Sequence, residues 1–161
     1  MQYLYAPWRS EYFGKKKDEC PFCVCAKNLE DDENLGVIFR AKYCFGVLNR
    51  YPYSPGHFMV IPYLHEENIE NLEPEIWQEM SHFVRIGVKI LKTELNASGV
   101  NIGMNLSKEA GAGIAWHCHY HLVPRWSGDT NFITTIAQTR VCGTDIVKIY
   151  QKLKKAFDDV L

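Results

Sequence analysis

Three histidines alternate with other side chains in the short segment His117–Val123, which reads His-Cys-His-Tyr-His-Leu-Val. Alternation with a period of two is the pattern of a β-strand, in which successive side chains point to opposite faces of the sheet. We therefore predict a strand here, with His117, His119 and His121 on one face and the residues between them facing the core. A row of imidazoles is costly to bury without partners, so this face has to border solvent, a metal or a ligand.

Hydrophobic patterns around this strand predict an α+β fold. Short β-type runs at 36–39, 44–48, 57–62 and 100–104 complete a sheet of about five antiparallel strands. Apolar residues at three- and four-residue steps predict a long helix from Pro74 to Leu95 and a C-terminal helix over roughly 145–160. A chain of 161 residues is expected to form a single domain, residues 1–161, with an N-terminal arm over 1–19.

The composition argues against several classes of function. The chain has 18 basic and 19 acidic side chains and a net charge of −1, so no broad nucleic-acid-binding surface is expected. No apolar run is long enough for a membrane span or a signal peptide, so we expect a cytoplasmic protein. The six cysteines are then expected to be reduced thiols rather than disulfides.

Three interpretations of the histidine face follow from the residues alone. It can be a solvated face, a zinc site built from all three rings, or a reactive site in which one imidazole attacks phosphorus. An imidazole with a pKa of about 6.5 is mostly the free base near neutral pH, and a neighbouring ring can orient it and stabilise developing charge. The glycine-rich loop Gly111–Gly113 just before the strand would offer backbone N–H groups to phosphate oxygens, which favours the third interpretation.

The histidine segment resembles the signature of the histidine triad family, His-φ-His-φ-His-φ-φ, in which φ is apolar. Two upstream segments extend the resemblance. Asn49–Pro62 looks like the ribose-binding loop of the family with its following strand, and Asn101–Leu106 looks like the turn that places an amide near phosphate. The segments 6–12 and 121–132 resemble the bacterial diadenosine tetraphosphate phosphorylases of this family.

This resemblance implies a two-step reaction on a nucleotide or dinucleoside polyphosphate. His119 would attack the α-phosphate and carry the nucleotide covalently, and His121 would assist at the phosphate. The substrate-binding residues that the resemblance implies are Asn49, His57, Asn105, Gly111, Ala112 and Gly113. A nucleoside phosphoramidase and a zinc-stabilised nucleotide-binding module with little turnover are the alternatives. Relatives usually pair, so a homodimer is expected.

The chain departs from the family pattern just before the first triad histidine. Many triad hydrolases carry Gln or Ser three or four residues before it, where Gly113 and Ile114 stand here. A side-chain contact to phosphate is therefore missing or replaced by a backbone N–H group. The departure leaves open whether water or inorganic phosphate is the acceptor.

A zinc site is predicted near the N-terminus. Cys20 and Cys23 have the C-x₂-C spacing that lets two thiolates bind one Zn²⁺, which is half of a tetrahedral site. Zinc-bearing triad proteins add two histidines, and these correspond here to His65 and His117. The resemblance thus implies a closed, structural Cys₂His₂ site, with Cys25 as an alternative ligand.

The sequence does not assign the recognition of the base. Trp8, Trp116 and Trp126 are candidates for stacking on it, with core or dimer packing as the alternative. The remaining cysteines, Cys44, Cys118 and Cys142, are expected to be packing residues.

Overall fold

The protein is described by a computed structural model covering residues 19–137 and 145–161. Trp8, Cys142 and the N-terminal arm up to residue 18 lie outside the described residues. The strands are β1 Val37–Arg40, β2 Cys44–Leu48, β3 Phe58–Pro62, β4 Gly99–Gly103 and β5 Tyr120–Arg125. They form one five-stranded sheet in the order β1-β2-β3-β5-β4, and every neighbouring pair is antiparallel. The predicted α+β class with a five-stranded antiparallel sheet is confirmed.

The described helices include the two that were predicted. They are α1 Pro21–Lys27, α2 Asp32–Leu35, α3 Pro74–Glu94, α4 Phe132–Ala137 and α5 Ile146–Asp158, with a 3₁₀ turn at Ile69–Asn71. Cys20 and Cys23, the predicted zinc ligands, lie at the start of α1, and Pro21 opens that helix. No helix in the described parts of the chain is both long enough and apolar enough to cross a bilayer.

The predicted histidine strand begins later than expected. β5 starts at Tyr120, which pairs with Val60, so the first two triad histidines precede the ladder. The N–H of Cys118 instead donates at 2.7 Å to the carbonyl of Glu66, a residue beyond the end of β3 at Pro62. At its other end β5 continues through Pro124, which pairs only with β4. Proline has no N–H to donate, so it is tolerated where the strand has a neighbour on one side only.

Helix α3 packs closely against the sheet directly behind the histidines. Its buried residues are Met80, Phe83, Val84, Gly87, Ile90 and Leu91. A Cβ atom on Gly87 would lie 2.5 Å from the ring of Phe58 and 3.0 Å from Leu122, so glycine sets the distance between helix and sheet. Helix α5 completes this core: the ring of Phe39 stacks between Phe83 and Phe157 at 4.5 and 4.6 Å.

The opposite face of the sheet carries a second, smaller core. Phe45, Met59 and Ile61 point to this side and pack with Phe22 of α1. Strands β2 and β3 are therefore buried along their whole lengths, since helices cover both faces. The histidines lie on the α1 side of the sheet, because His121 is the register partner of Met59.

Strand β4 forms one edge of the sheet in the described part of the chain. It pairs with β5 alone, and Asn101, Ile102 and Gly103 are exposed. The homodimer expected from the resemblance stays a prediction.

We predict that Gly87→Ala destabilises the protein. Alanine in an exposed helix interior would gain about 1 kcal/mol over glycine. Here the added methyl group meets the buried rings of the sheet, and overpacking of this kind costs roughly 1–3 kcal/mol. We expect a lower free energy of unfolding in urea. The double variant Gly87→Ala/Phe58→Leu should recover part of the loss, and a Gly87→Ala protein more stable than the wild type would contradict the packing described here.

Candidate active site

Four buried or half-buried histidines meet where β3 and β5 run side by side. His57 and His117 are fully buried, His119 is 5% exposed, and His121 is half-buried. The rings of His119 and His121 lie 4.7 Å apart, and those of His57 and His121 lie 5.1 Å apart. The structure thus brings together the two predicted catalytic histidines and the predicted neighbour His57.

The hydrogen bond at His119 fixes which ring nitrogen is free. Its Nδ1 lies 2.8 Å from the backbone carbonyl oxygen of His117. A carbonyl oxygen can only accept, so Nδ1 carries the proton and donates it. Nε2 therefore keeps its lone pair, which makes it the nitrogen available for nucleophilic attack.

A second chain of hydrogen bonds fixes His57 and His121. The backbone N–H of Tyr53 donates to Nδ1 of His57 at 3.2 Å, so the proton of His57 sits on Nε2. That Nε2–H donates to Nδ1 of His121 at 3.0 Å. The proton of His121 is consequently on its own Nε2, and His121 presents a donor where His119 presents a lone pair.

Burial keeps these rings neutral. Burial first, and the neighbouring imidazoles second, lower the pKa of His57 to about 3 and that of His121 to about 4. Burial also lowers the pKa of His119. At neutral pH each ring therefore carries one proton, as the assignment of donors and acceptors requires.

The four predicted metal ligands form one cluster. The ligand atoms of Cys20, Cys23, His65 and His117 all lie within 4.8 Å of one another. Sγ of Cys20 lies 3.4 Å from Nδ1 of His117, and Sγ of Cys23 lies 3.1 Å from Nδ1 of His65. The structure therefore places two sulfur and two nitrogen donors where they could hold one metal ion. Cys25 does not belong to the cluster.

The first triad histidine turns the lone pair of its ring toward the cysteines. Its Nε2 lies 2.9 Å from the carbonyl oxygen of Pro62, so that nitrogen carries the proton and Nδ1 has the lone pair. His117 thus faces the cysteines with Nδ1 and holds His119 with its backbone carbonyl.

Phe22 is a site residue that the sequence reasoning missed. Its ring contacts His117 at 5.4 Å and His119 at 4.9 Å, both edge-on. The signal was present, since Phe22 lies between Cys20 and Cys23, but only the helical course of α1 turns its ring onto the histidines.

The other predicted substrate residues lie around this centre. Asn49 uses Oδ1 to accept the N–H of Tyr51 at 2.8 Å, and its Nδ2 lies 3.4 Å from Nε2 of His57. Both of these nitrogens carry protons, so the latter is a contact rather than a hydrogen bond. Asn105 is half-buried two residues beyond Gly103, the register partner of His121.

The glycine-rich loop differs from the expectation. Gly111 has a left-handed backbone with φ of 89°, and its N–H donates to the carbonyl of Lys108 at 2.9 Å. The N–H of Ala112 donates to Ser107 at 3.2 Å. In this loop conformation these two groups are not open to phosphate. A substrate contact from Gly111, Ala112 or Gly113 stays a prediction.

The described tryptophans are half-buried packing residues. Trp126 donates its indole N–H to the carbonyl of Leu95 at 3.1 Å and packs on the main core. Trp116 packs against the smaller core around Phe22. Trp77 is also half-buried, and its ring lies 5.4 Å from that of Tyr120.

Comparisons with known proteins agree with this geometry. Residues 31–128 match the HIT domain family. The AP-4-A phosphorylase of Mycobacterium tuberculosis is 37% identical over 150 residues, which cover 88% of this chain and 76% of that protein. The asymmetrical bis(5'-nucleosyl)-tetraphosphatase of Schizosaccharomyces pombe is 30% identical over 93 residues, covering 58% of this chain and 50% of that protein.

Among solved structures, the fold resembles a zinc-bound histidine triad family protein from Mycobacterium smegmatis. The TM-score is 0.71 at 25% sequence identity, covering 88% of this chain and 95% of that chain. The resemblance seen in the sequence is confirmed. Because the family match spans more than half of the chain and relatives carry enzymatic names, this chain belongs to the HIT domain family and is an enzyme of that family.

Proposed function

We propose that this protein cleaves dinucleoside polyphosphates at the α-phosphate through a covalent nucleotidyl-histidine on His119. The observation that carries the proposal is the hydrogen bond from Nδ1 of His119 to the His117 carbonyl, which leaves a neutral imidazole with a free Nε2. The names of the relatives from M. tuberculosis and S. pombe support the substrate class.

In the first step, Nε2 of His119 donates its lone pair to the α-phosphorus, and the bond from phosphorus to the bridging oxygen breaks. The leaving polyphosphate departs with that electron pair as an anion. Nε2–H of His121 donates a hydrogen bond to the departing oxygen and stabilises its developing charge. The positive charge that appears on the His119 ring is stabilised by the His117 carbonyl, which already accepts Nδ1–H.

In the second step, an oxygen of the acceptor attacks the same phosphorus, and the electrons of the P–N bond return to His119. Inorganic phosphate as acceptor releases a nucleoside diphosphate, whereas water releases a nucleoside monophosphate. We favour phosphate, because the M. tuberculosis relative is named a phosphorylase and matches 88% of this chain.

We predict that His119→Ala lowers kcat for diadenosine tetraphosphate by about 10³-fold or more, because no other described group offers the same lone pair. Binding of the substrate should survive. The measurement separates products with and without inorganic phosphate: ADP with ATP indicates phosphorolysis, and AMP with ATP indicates hydrolysis. Two ADP molecules would mean cleavage between the β- and γ-phosphates and would contradict attack at the α-phosphorus. His82→Ala, a histidine on α3, is the matched control and should keep full activity.

The covalent step has its own readout. Substrate labelled in the adenosine moiety should leave label on the wild-type protein after alkaline quenching and lose it in acid, because P–N bonds are acid-labile. Turnover without label on the protein would contradict the nucleotidyl-histidine. Binding without any turnover would favour the nucleotide-binding module, and turnover of a nucleoside phosphoramidate alone would favour the phosphoramidase.

We further propose that Cys20, Cys23, His65 and His117 hold a structural Zn²⁺. The donor set fits: a tetrahedral ion with Zn–S of about 2.3 Å and Zn–N of about 2.0 Å has S···N edges of roughly 3.5 Å. The observed S···N distances along this cluster are 3.1, 3.4 and 3.8 Å. When bound, the ion would tie α1 to the triad, and the four protein ligands would leave no open position for catalysis.

We predict that Cys23→Ser abolishes stoichiometric zinc binding and lowers Tm by roughly 5 °C or more. The bound ion stabilises only the folded chain, and a loss of about 2 kcal/mol corresponds to roughly 4–8 °C in a domain of this size. Metal content by elemental analysis and thermal unfolding by circular dichroism measure both effects. Cys25→Ala is the matched control, since Cys25 lies outside the ligand cluster. Zinc retained by Cys23→Ser but lost from Cys25→Ala would overturn this ligand assignment.

The neutral state of His57 predicts a pH dependence of stability. Its pKa is about 3 in the folded chain, and the groups that face it are Tyr53, Asn49 and His121. The unfolded chain takes up this proton as pH falls below about 6.5, and the folded chain does not. The stabilisation is therefore complete above pH 6.5 and is lost as the pH falls toward 3.

Urea unfolding at pH 7, 6 and 5 should consequently show a steeper loss of stability for the wild type than for His57→Gln. The pH slopes of the free energy of unfolding should differ between the two proteins by up to one bound proton, about 1.4 kcal/mol per pH unit. Zinc release in acid affects both proteins alike. Parallel slopes would mean that His57 titrates normally.

A further inference from the structure

Tyr53 is an exposed aromatic residue at the mouth of the site. Its side chain is 59% exposed, and among the described residues only Phe132 is another exposed aromatic side chain. Neither the reaction described above nor the family resemblance assigns a role to its ring. A large apolar surface left open beside an active site indicates a contact with something that the free protein lacks.

The ring is nevertheless held in one place. The backbone N–H of Tyr53 donates to Nδ1 of His57. The backbone N–H of His57 in turn donates to the carbonyl of the buried Ser54 at 3.0 Å. The phenol ring stacks on His57 with centroids 4.8 Å apart and planes inclined by 28°. One face of the ring is therefore covered by His57, and the other face is open to solvent. A ring fixed in this way loses little conformational entropy when a ligand stacks on it.

The position of Tyr53 relates it to the departing half of the substrate. Its ring lies 6.1 Å from that of His121, whose Nε2–H faces the leaving oxygen in the proposed reaction. In an in-line displacement the leaving group lies on the side of phosphorus away from the nucleophile His119. In the proposed reaction the polyphosphate chain leaves on the His121 side of the site, and Tyr53 is the exposed aromatic residue whose ring lies near His121. This polyphosphate is flexible, and it carries the second nucleoside at its far end.

We propose that the open face of Tyr53 stacks on the nucleobase of the departing nucleotide, so that this residue makes the site selective for dinucleoside over mononucleoside polyphosphates. This inference rests on the proposed function, since it needs a leaving group that carries a base. Stacking does not read hydrogen-bonding groups, so Tyr53 accepts any base there. The three described tryptophans, Trp77, Trp116 and Trp126, are half-buried and pack against the two cores, whereas Tyr53 is 59% exposed.

The test compares two substrates that differ only in the second nucleoside. Diadenosine tetraphosphate has it, and adenosine 5'-tetraphosphate has the same transferred nucleotide and phosphate chain without it. We expect Tyr53→Leu to lower the ratio of kcat/KM for the first substrate to that for the second by about 10-fold, mainly through KM, as typical for loss of one base–aromatic stack. Tyr53→Phe keeps the ring and should keep the ratio.

Two results would overturn the inference. If Tyr53→Leu lowers kcat/KM equally for both substrates, the ring acts on His57 or on the transferred nucleotide and not on the departing base. If Tyr53→Leu and the wild type have the same ratio, the ring contributes no selectivity.

Binding separates this inference from the proposed reaction. Calorimetric affinities for both compounds are measured in the His119→Ala background, with and without Tyr53→Leu. A selective loss of affinity for the dinucleotide supports stacking even if the wild type converts neither compound, in which case the proposed function alone fails. Equal affinities for both compounds in both backgrounds overturn the stacking.

Discussion

Three contacts of His117 connect the two halves of this site, and the rest of the geometry depends on them. Nδ1 faces the cysteine thiols, Nε2–H donates to the carbonyl of Pro62 at the end of β3, and the backbone carbonyl accepts Nδ1–H of His119. The first two contacts fix where this backbone segment lies, although it is outside the β-ladder. The third sets the tautomer of His119, the proposed nucleophile. A residue that takes no part in the proposed chemistry therefore determines which nitrogen of His119 can perform it.

The same logic explains why the histidines are buried. An exposed imidazole titrates near neutral pH, and its protonated form has no lone pair to donate. Burial lowers the pKa of His57 and His121 well below this range, so the hydrogen-bond chain from Tyr53 through His57 to His121 keeps a single direction. Burying these rings costs little free energy, because both nitrogens of His57 and Nδ1 of His121 have hydrogen-bond partners.

Close packing of the sheet gives this arrangement its rigidity. Helix α3 approaches the sheet within the distance that Gly87 allows, behind Phe58 and Leu122. On the front, Phe22 of α1 covers His117 and His119. The reactive rings are thus held between two packed layers, while Tyr53 at the edge keeps one face exposed. A rigid centre with one open aromatic face suits a site that positions a phosphorus atom and receives a base beside it.

The sequence by itself determined the five strands and the long helix, because local hydrophobic spacing predicts them, and the triad, because it matches the family signature. The family resemblance also pointed to the four residues that the structure brings together as a candidate metal site. The sequence could not determine where β5 begins, since the N–H of Cys118 donates to the carbonyl of Glu66, which lies outside the paired strands. Nor could it show that the loop N–H groups of Gly111 and Ala112 are already used. The direction of every imidazole proton and the stacking of Tyr53 on His57 were decided by tertiary structure alone. The physical reason is that a tautomer is set by the hydrogen-bond partner of a ring, and these partners come from other segments or from a backbone path that only the folded chain defines.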